Sequence, residues 1–315
     1  MELAVVIVSW NVRDLLQHCL SSITESGERS SLRYEVAVVD SGSSDGSPDM
    51  VRERFPAVRL IMSERNLGFS QGNNLGVAST SGRNVLLLNP DTVVLGDGLR
   101  VMTTYMDDHA DIGALGPRLL NPDGRVQPSR RRFPTLATAF LESTPLQGWF
   151  PGNHVLSRYF VRDRSDEEEQ DVDWLVGACL LVRRRAWEQV GPLDERFFMY
   201  SEELDWCRRA RAAGWRIRFL PTATIVHYEG KSSAQVIPSR HIYFQSSKVY
   251  YFRKHHGRLA SEVLRCFLLT TYFLQLCLES LKWLVGHKRS LRRARIAAYC
   301  RVLFSGLRTQ GKAVS

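Results

Sequence analysis

Four short apolar runs open this chain, and each stops in polar residues: LAVVIVSW (3–10), YEVAVVDSGS (34–43), VRLIMSE (58–64) and NVLLLNPD (84–91). Between them lie segments with apolar residues at helical spacing, VRDLLQHCLSSI, SPDMVRERF and SQGNNLGVAST. Strands that alternate with helices restrict a chain to an α/β fold around a mostly parallel, Rossmann-like sheet flanked by helices. In such a sheet ligands bind in the crevice beyond the carboxyl ends of the strands. The polar clusters Ser9-Trp10-Asn11, Asp40-Ser41-Gly42, Asn66-Leu67-Gly68 and Asn89-Pro90-Asp91 are therefore expected to converge there.

Charge narrows the class of partner. The 315 residues carry a net charge of +9, and no acidic residue follows Glu279. Nine basic residues from Lys282 to Lys312 hold the whole excess, so the body is neutral. A neutral body with a basic tail behind an apolar helix argues for an anionic membrane surface and against nucleic acid. The six cysteines include no C-x-x-C pair, which speaks against a zinc site or disulfide framework and for a reducing cytoplasm. The start, MELAVVIVSW, lacks a basic n-region and a small-residue cleavage site, so no secretory signal is expected in it.

The middle of the chain reads as a turn-rich basic segment, NPDGRVQPSRRRFPT, and an acidic loop, DRSDEEEQD, expected to be solvated. Two apolar strands and a helix follow in VDWLVGACLLVRRRAWEQVG, then a helix ended by Gly214 and another strand. From residue 238 the pattern is helical, which divides the chain into a ligand-binding domain, 1–237, and a helical, basic extension, 238–315. The uncharged run Cys266–Leu278 is 13 residues long. That is shorter than the roughly 20 needed to cross a bilayer and fits a helix on the core or in a membrane interface.

Several groups carry chemistry. Asp40 at a strand end and Asp45 in a Gly-flanked loop suit a nucleoside pocket, although D-G is also a turn signal. RNLGFSQGNNLG opens a helix whose N–H groups can meet phosphate oxygens. Neither G-x-G-x-x-G nor G-x-x-x-x-G-K-[ST] occurs, which argues against a dehydrogenase and a P-loop ATPase. SEELD places Glu202 and Asp205 on one helical face beside Glu203. Arginines 130–132 read as solvated loop charges or as contacts for an acceptor diphosphate.

In order, IVSWN, VVDSGSSDGS, RNLGFSQGNNLG, LLLNPDTVV, WLVGACLLVRRRAWEQVGPLDERFFMYSEELDWCRRARAAGW and IVHYEG resemble the motifs of glycosyltransferase family 2, most of all its rhamnosyltransferase-like members. The resemblance implies a GT-A fold and an inverting, metal-dependent transfer from a nucleotide-sugar, with dTDP-L-rhamnose as the implied donor. It places Asn11, Asp40, Ser41, Asp45, Asn66 and Asn89 around the nucleotide. Asp91 and His227 become ligands of Mg²⁺ or Mn²⁺, with Asn89 where many relatives have another Asp. Trp174, Gly177, Asp194 and Glu202 fall on the acceptor side. Glu203 takes the place of the general base, with Glu202 as the alternative. The implied acceptor is a hydroxyl of a lipid-linked or cell-surface saccharide, used by a cytoplasmic enzyme peripheral to the inner membrane face. The alternatives are a polyprenyl-phosphate glycosyltransferase and a sugar-nucleotide-binding protein without turnover.

Overall fold

The structure is a computed structural model that describes residues 1–142, 144–150, 152–228 and 237–308, with side chains from residue 240 in the last segment. Two compact units result. The first comprises Met1–Phe133, Phe160–Glu195 and Glu202–Ser232; the second comprises Pro134–Tyr159, Arg196–Ser201 and Ser233–Ser315. The second thus draws in two segments that the sequence pattern leaves with the first. Glu229 and Gly230 of the IVHYEG block, and the tail from 309 with Lys312, lie outside the described residues.

Among the described residues the first unit carries the strands: β1 (Leu3–Ser9), β2 (Tyr34–Asp40), β3 (Arg59–Met62), β4 (Asn84–Leu88), β5 (Thr92–Val94), β6 (Ile112–Leu120), β7 (Val126–Gln127), β8 (Arg130–Arg131), β9 (Gln170–Asp171), β10 (Trp174–Leu175), β11 (Cys179–Arg183) and β12 (Arg216–His227). Its helices are α1 (Arg13–Arg29), α2 (Ser47–Arg54), α3 (Gly68–Ala78) and α4 (Gly98–Asp108), with two more after β11. The main sheet runs β3-β2-β1-β4-β11-β6-β12-β5. β3, β2, β1 and β4 are parallel, as are β6 and β12, whereas β11 and β5 run against their neighbours. Helices cover the sheet, so β1 and β4 are buried almost throughout, which is why they read as unbroken apolar runs.

Local chemistry explains the helix ends. Pro48 sits at the start of α2, where a missing N–H costs nothing. Gly214, at φ +92, ends the helix before β12. Two glycines of α3 serve packing: a Cβ on Gly72 would lie 2.8 Å from Val8 Cγ1, and one on Gly76 would lie 2.3 Å from Val6 Cγ1. The short strand β5 is tied to α1 through the Val94 N–H, which donates to Ser22 Oγ at 3.0 Å.

The second unit contains α5 (Leu136–Leu141), α6 (Pro145–Trp149) and α7 (His154–Tyr159). In chain order there follow, in the first unit, α8 (Arg184–Val190) and α9 (Glu202–Ala212), then in the second α10 (Ile237–Leu284) and α11 (Arg289–Ser305). Gly257, at φ 89, breaks α10. The 13-residue uncharged run is part of a longer apolar helix. Arg240–Leu284 is long and apolar enough by length and composition to cross a membrane, and only 22% of its apolar window is buried. The sequence count stopped at Arg265 and Glu279, whereas long charged side chains can ride at the edge of an apolar stretch.

Since α3 touches β1 through a hydrogen atom where other residues carry a methyl, Gly76→Ala should lower stability by about 1–3 kcal/mol, the usual cost of overpacking. Denaturant midpoints of the two proteins measure this.

Candidate active site

The polar ends of β1 and β2 meet first. Ser9 and Asp40 are register partners, and the Ser41 N–H donates to the Ser9 carbonyl at 2.9 Å. Asp40 is buried and accepts the Ser43 N–H at 3.1 Å on both oxygens. Burial pushes its carboxyl up against the pull of that donor. The buried Ser41 Oγ has no partner. Asn11, at φ 52, a conformation Asn tolerates, accepts the Ser44 N–H at 2.8 Å and donates its own N–H to Ser43 Oγ at 2.9 Å. Asp45 ties its loop to the start of α1: it accepts from Arg13 N–H at 2.8 Å and from Ser47 N–H at 3.0 Å. Despite partial burial, bonds from Ser47 and Arg13 hold its carboxyl below the usual range. Asn66 likewise accepts the Gly68 N–H at 2.9 Å, turning the chain into α3.

The second cluster forms where β5 pairs with β12. His227 is the register partner of Thr92, and the Tyr228 N–H donates to the Asp91 carbonyl at 2.9 Å. Two residues far apart in sequence thereby become neighbours: His227 Nε2 lies 3.4 Å from Asp91 Oδ1, both side chains buried. That oxygen has no hydrogen-bond partner. His227 Nδ1 is 2.8 Å from Gln127 Oε1, a residue that sequence reading passed over inside a turn-rich segment. Asn89, half-buried at the tip of β4, donates its N–H to the Ala178 carbonyl at 2.9 Å.

The residues present fit a divalent cation. A buried, unpartnered carboxylate oxygen facing an imidazole nitrogen is a pair of hard and borderline donors. Among the described residues no cluster of three His, Cys, Asp or Glu side chains forms a metal cage. Two protein ligands suffice for a cation that also binds substrate phosphates.

The third cluster is acidic. Glu203 Oε1 accepts the Gly177 N–H at 3.3 Å, while its Oε2 is buried and unpartnered. Glu202, 4% exposed, also has an unpartnered Oε2. Burial, then the like charges of Glu203 and Asp205, pushes Glu202 well above the ordinary carboxylate range. Burial raises Glu203 as well, but bonds from α9 and Gly177 N–H groups and the Arg131 charge oppose it. Asp205, fully buried, is bound by Arg209 Nε at 2.9 Å. Immediately before α9, Tyr200 and Ser201 both take left-handed backbone, φ 71 and 68. Such residues cost on the order of 1–3 kcal/mol each and collect at functional sites.

Around this pair, buried Trp174 donates its Nε1–H to the Arg132 carbonyl at 3.0 Å, and the Arg131 guanidinium lies 6.0 Å from its ring. Asp194 lies half-buried in the loop after α8, which Asn74 braces by donating to the Leu193 carbonyl at 2.9 Å. The acidic loop is not simply solvated, as its sequence implied. Asp163 holds Arg132 through two bonds of 3.0 and 2.8 Å, and Asp166 pairs with Arg130. Opposite charges on two loops neutralise each other, a pairing that neither loop alone reveals.

The α/β fold, with its mixed, mostly parallel central sheet, is that of the GT-A glycosyltransferases. The model of glycosyl transferase family 2 matches residues 4–191, and the chain belongs to that family and is a glycosyltransferase. An N-acetylglucosaminyl-diphospho-decaprenol L-rhamnosyltransferase of Mycobacterium tuberculosis is 33% identical over 268 residues, 81% of this chain and 85% of the relative. Rhamnosyltransferase WbbL of Escherichia coli is 26% identical over 234 residues, 71% of this chain and 82% of the relative. Among solved structures, the mannosyltransferase PcManGT of Pyrobaculum calidifontis, in complex with GDP-Man and Mn²⁺, aligns with a TM-score of 0.56 at 15% identity. That alignment covers 96% of this chain and 87% of the other.

The raised Glu202 sets a stability profile. Its cost is absent below the ordinary glutamate range, where folded and unfolded states are both protonated, and grows as pH rises toward the folded value. Glu202→Gln should therefore melt above the wild type at about pH 8, and the gap should close as pH falls toward about 4. Thermal unfolding across that range checks the sign.

Proposed function

We propose that this enzyme moves L-rhamnose from dTDP-L-rhamnose to a hydroxyl of a lipid-linked saccharide, with inversion at the anomeric carbon. The observation that carries the reading is the 33% identity, across 81% of the chain, to a rhamnosyltransferase named for a decaprenol-linked acceptor. The site chemistry supports it. Asn11, Asp40 and Ser41 at the strand ends, with the loops shaped by Asp45 and Asn66 and with Asn89 beside them, receive the nucleotide. Asp91 and His227 would hold Mg²⁺ or Mn²⁺, which supplies positive charge to the departing diphosphate when bound.

Glu203 acts as the base. Its Oε1 is steadied by Gly177, leaving Oε2 for the acceptor hydroxyl. The Gly177 N–H and the Arg131 charge favour the ionised form of Glu203, whereas burial and the like charges of Glu203 and Asp205 oppose it at Glu202. As the hydroxyl proton passes to Glu203 Oε2, the oxygen attacks the anomeric carbon opposite the diphosphate. The bond to the diphosphate oxygen breaks in the same displacement. Trp174 and Asp194 flank the acceptor side.

Turnover of dTDP-L-rhamnose with a polyprenyl-diphosphate N-acetylglucosamine acceptor, compared with UDP- and GDP-sugars, tests donor and acceptor together. Glu203→Gln should lower kcat by about 10²–10⁴-fold, the usual worth of a positioned base, while leaving donor affinity unchanged. Loss of turnover confined to Glu202→Gln would move the role to its neighbour.

A lipid-linked acceptor supports a peripheral position at the cytoplasmic membrane face as part of this reading, and so does the surface of the second unit. Leu274, Leu278, Leu281, Leu284 and Val285 are exposed at the end of α10. A cleft of 760 Å³ joins Trp283 and Leu284 to Ser280, Arg289, Ser290 and Arg293. Glu279 occupies Arg292 at 2.6 Å, with Lys282 and Arg295 each at 3.6 Å. Among the described residues no carboxylate pairs with Arg289 or Arg293. Apolar side chains interleaved with uncompensated guanidinium groups match the boundary of an anionic bilayer. Reversing both charges, Arg289→Glu with Arg293→Glu, should weaken sedimentation with phosphatidylglycerol vesicles by about tenfold or more, at about 1 kcal/mol per basic residue. Equal binding to phosphatidylcholine vesicles would remove the electrostatic part of this reading.

A further inference from the structure

We propose that Gln127 is a positioning residue that fixes the ring orientation and tautomer of His227, through a chain of amides anchored on a backbone carbonyl. The inference rests on the reading of Asp91 and His227 as cation ligands.

The anchor is the turn between β6 and β7. Leu119 and Leu120 pair with Gln127 and Val126, and the turn closes through the Gly124 N–H to the Asn121 carbonyl at 2.9 Å. Asn121 Nδ2 donates to the Arg125 carbonyl at 3.3 Å. A carbonyl oxygen can only accept, so the Asn121 amide has one permissible orientation here. Its Oδ1 then faces Gln127 Nε2 at 3.4 Å. An oxygen there accepts from the Gln127 amide nitrogen, which turns Gln127 Oε1 toward His227 Nδ1 at 2.8 Å. The imidazole must carry its proton on Nδ1 to donate to that oxygen.

The consequence appears at the other ring nitrogen. With the proton on Nδ1, Nε2 presents a lone pair toward Asp91 Oδ1, 3.4 Å away. That oxygen makes no hydrogen bond. Two lone-pair donors facing one another repel, and a cation drawn to both removes the conflict. Gln127, His227 and Asp91 are all buried, so water does not freely take over these roles. A histidine ligand is commonly held this way by a partner on its far nitrogen, and loss of such a partner costs about 10–100-fold in metal affinity. The neutral amide accepts the Nδ1 proton without adding charge to a pocket that already contains Asp91.

The test separates this inference from the ligand reading itself. Mn²⁺ binding, followed by electron paramagnetic resonance with Mn²⁺ alone and with Mn²⁺ plus dTDP, is compared for wild type, His227→Ala, Gln127→Met and Gln127→Glu. His227→Ala should lose affinity; unchanged affinity in that variant overturns the ligand reading and leaves the ring orientation to be judged by spectroscopy. Gln127→Met, similar in size but unable to accept a strong hydrogen bond, should weaken Mn²⁺ by about 10–100-fold. Gln127→Glu, which still accepts from Nδ1, should retain wild-type affinity or exceed it. Wild-type Mn²⁺ affinity in Gln127→Met, alongside a loss in His227→Ala, overturns the positioning role. Nitrogen-15 spectra of the metal-free protein give a readout independent of the cation. His227 should show a protonated Nδ1 and an unprotonated Nε2 in wild type and Gln127→Glu, and a mixture in Gln127→Met. The opposite tautomer in wild type also overturns the proposal.

Discussion

Everything at the proposed donor end depends on one strand pairing. β5 is three residues long, yet it crosses from the tip of β4 to the far side of β12 and pairs with it antiparallel. This register sets Thr92 opposite His227 and closes the Tyr228 N–H on the Asp91 carbonyl. A slip of one residue would turn every side chain of so short a strand to the opposite face and separate the imidazole from the carboxylate. The hold of α1 on Val94 through Ser22 guards against such a slip, so the first helix of the chain helps set geometry built more than sixty positions later.

The same logic explains why two antiparallel strands interrupt a parallel sheet. A parallel strand offers the cleft only the loop that follows it. A reversed strand offers the loop that precedes it. Cys179, the first residue of β11, lies opposite Leu88, the last of β4, so Gly177 and Ala178 arrive where Asn89 leaves the sheet. Asn89 N–H binds the Ala178 carbonyl, and Gly177 N–H binds Glu203. β5 repeats the device with Asp91 just before it. Loops from both kinds of strand therefore gather at one end of the sheet, with Asp40 at the end of parallel β2 and Asp91 just before reversed β5.

Much of this was legible in the sequence. Alternating strands and helices gave the α/β class because parallel strands covered by helices must be apolar throughout. The ordered motif blocks led to the family; of the residues they singled out, Asp40, Asp91, Glu202 and His227 are buried and Glu203 is half-buried. What stayed hidden was long-range. Gln127 looks like any turn-flanking amide until β6, β7 and β12 are assembled. The arginines 130–132 and the acidic loop each look solvated until Asp163 and Asp166 meet Arg132 and Arg130. Asp45 looked equally suited to a ligand or a turn; it accepts one turn bond from Ser47 and one long-range bond from the Arg13 N–H at the start of α1.

The acidic pair is costly to the fold. A fold optimised for stability alone would not bury two neighbouring carboxyls with an unpartnered oxygen on each, beside two left-handed residues that are neither glycine nor asparagine. Yet the neighbours differ in a useful way. Glu203 is offered a backbone donor and a nearby guanidinium, while Glu202 has burial and like charge against it. Such unequal surroundings are the kind that separate the roles of two carboxyls, and they are what supports the proposed base at Glu203. In the proposed reaction, the unpartnered Glu203 Oε2 is the oxygen open to a hydrogen bond from an incoming hydroxyl, at a position where an unmade bond costs folding free energy.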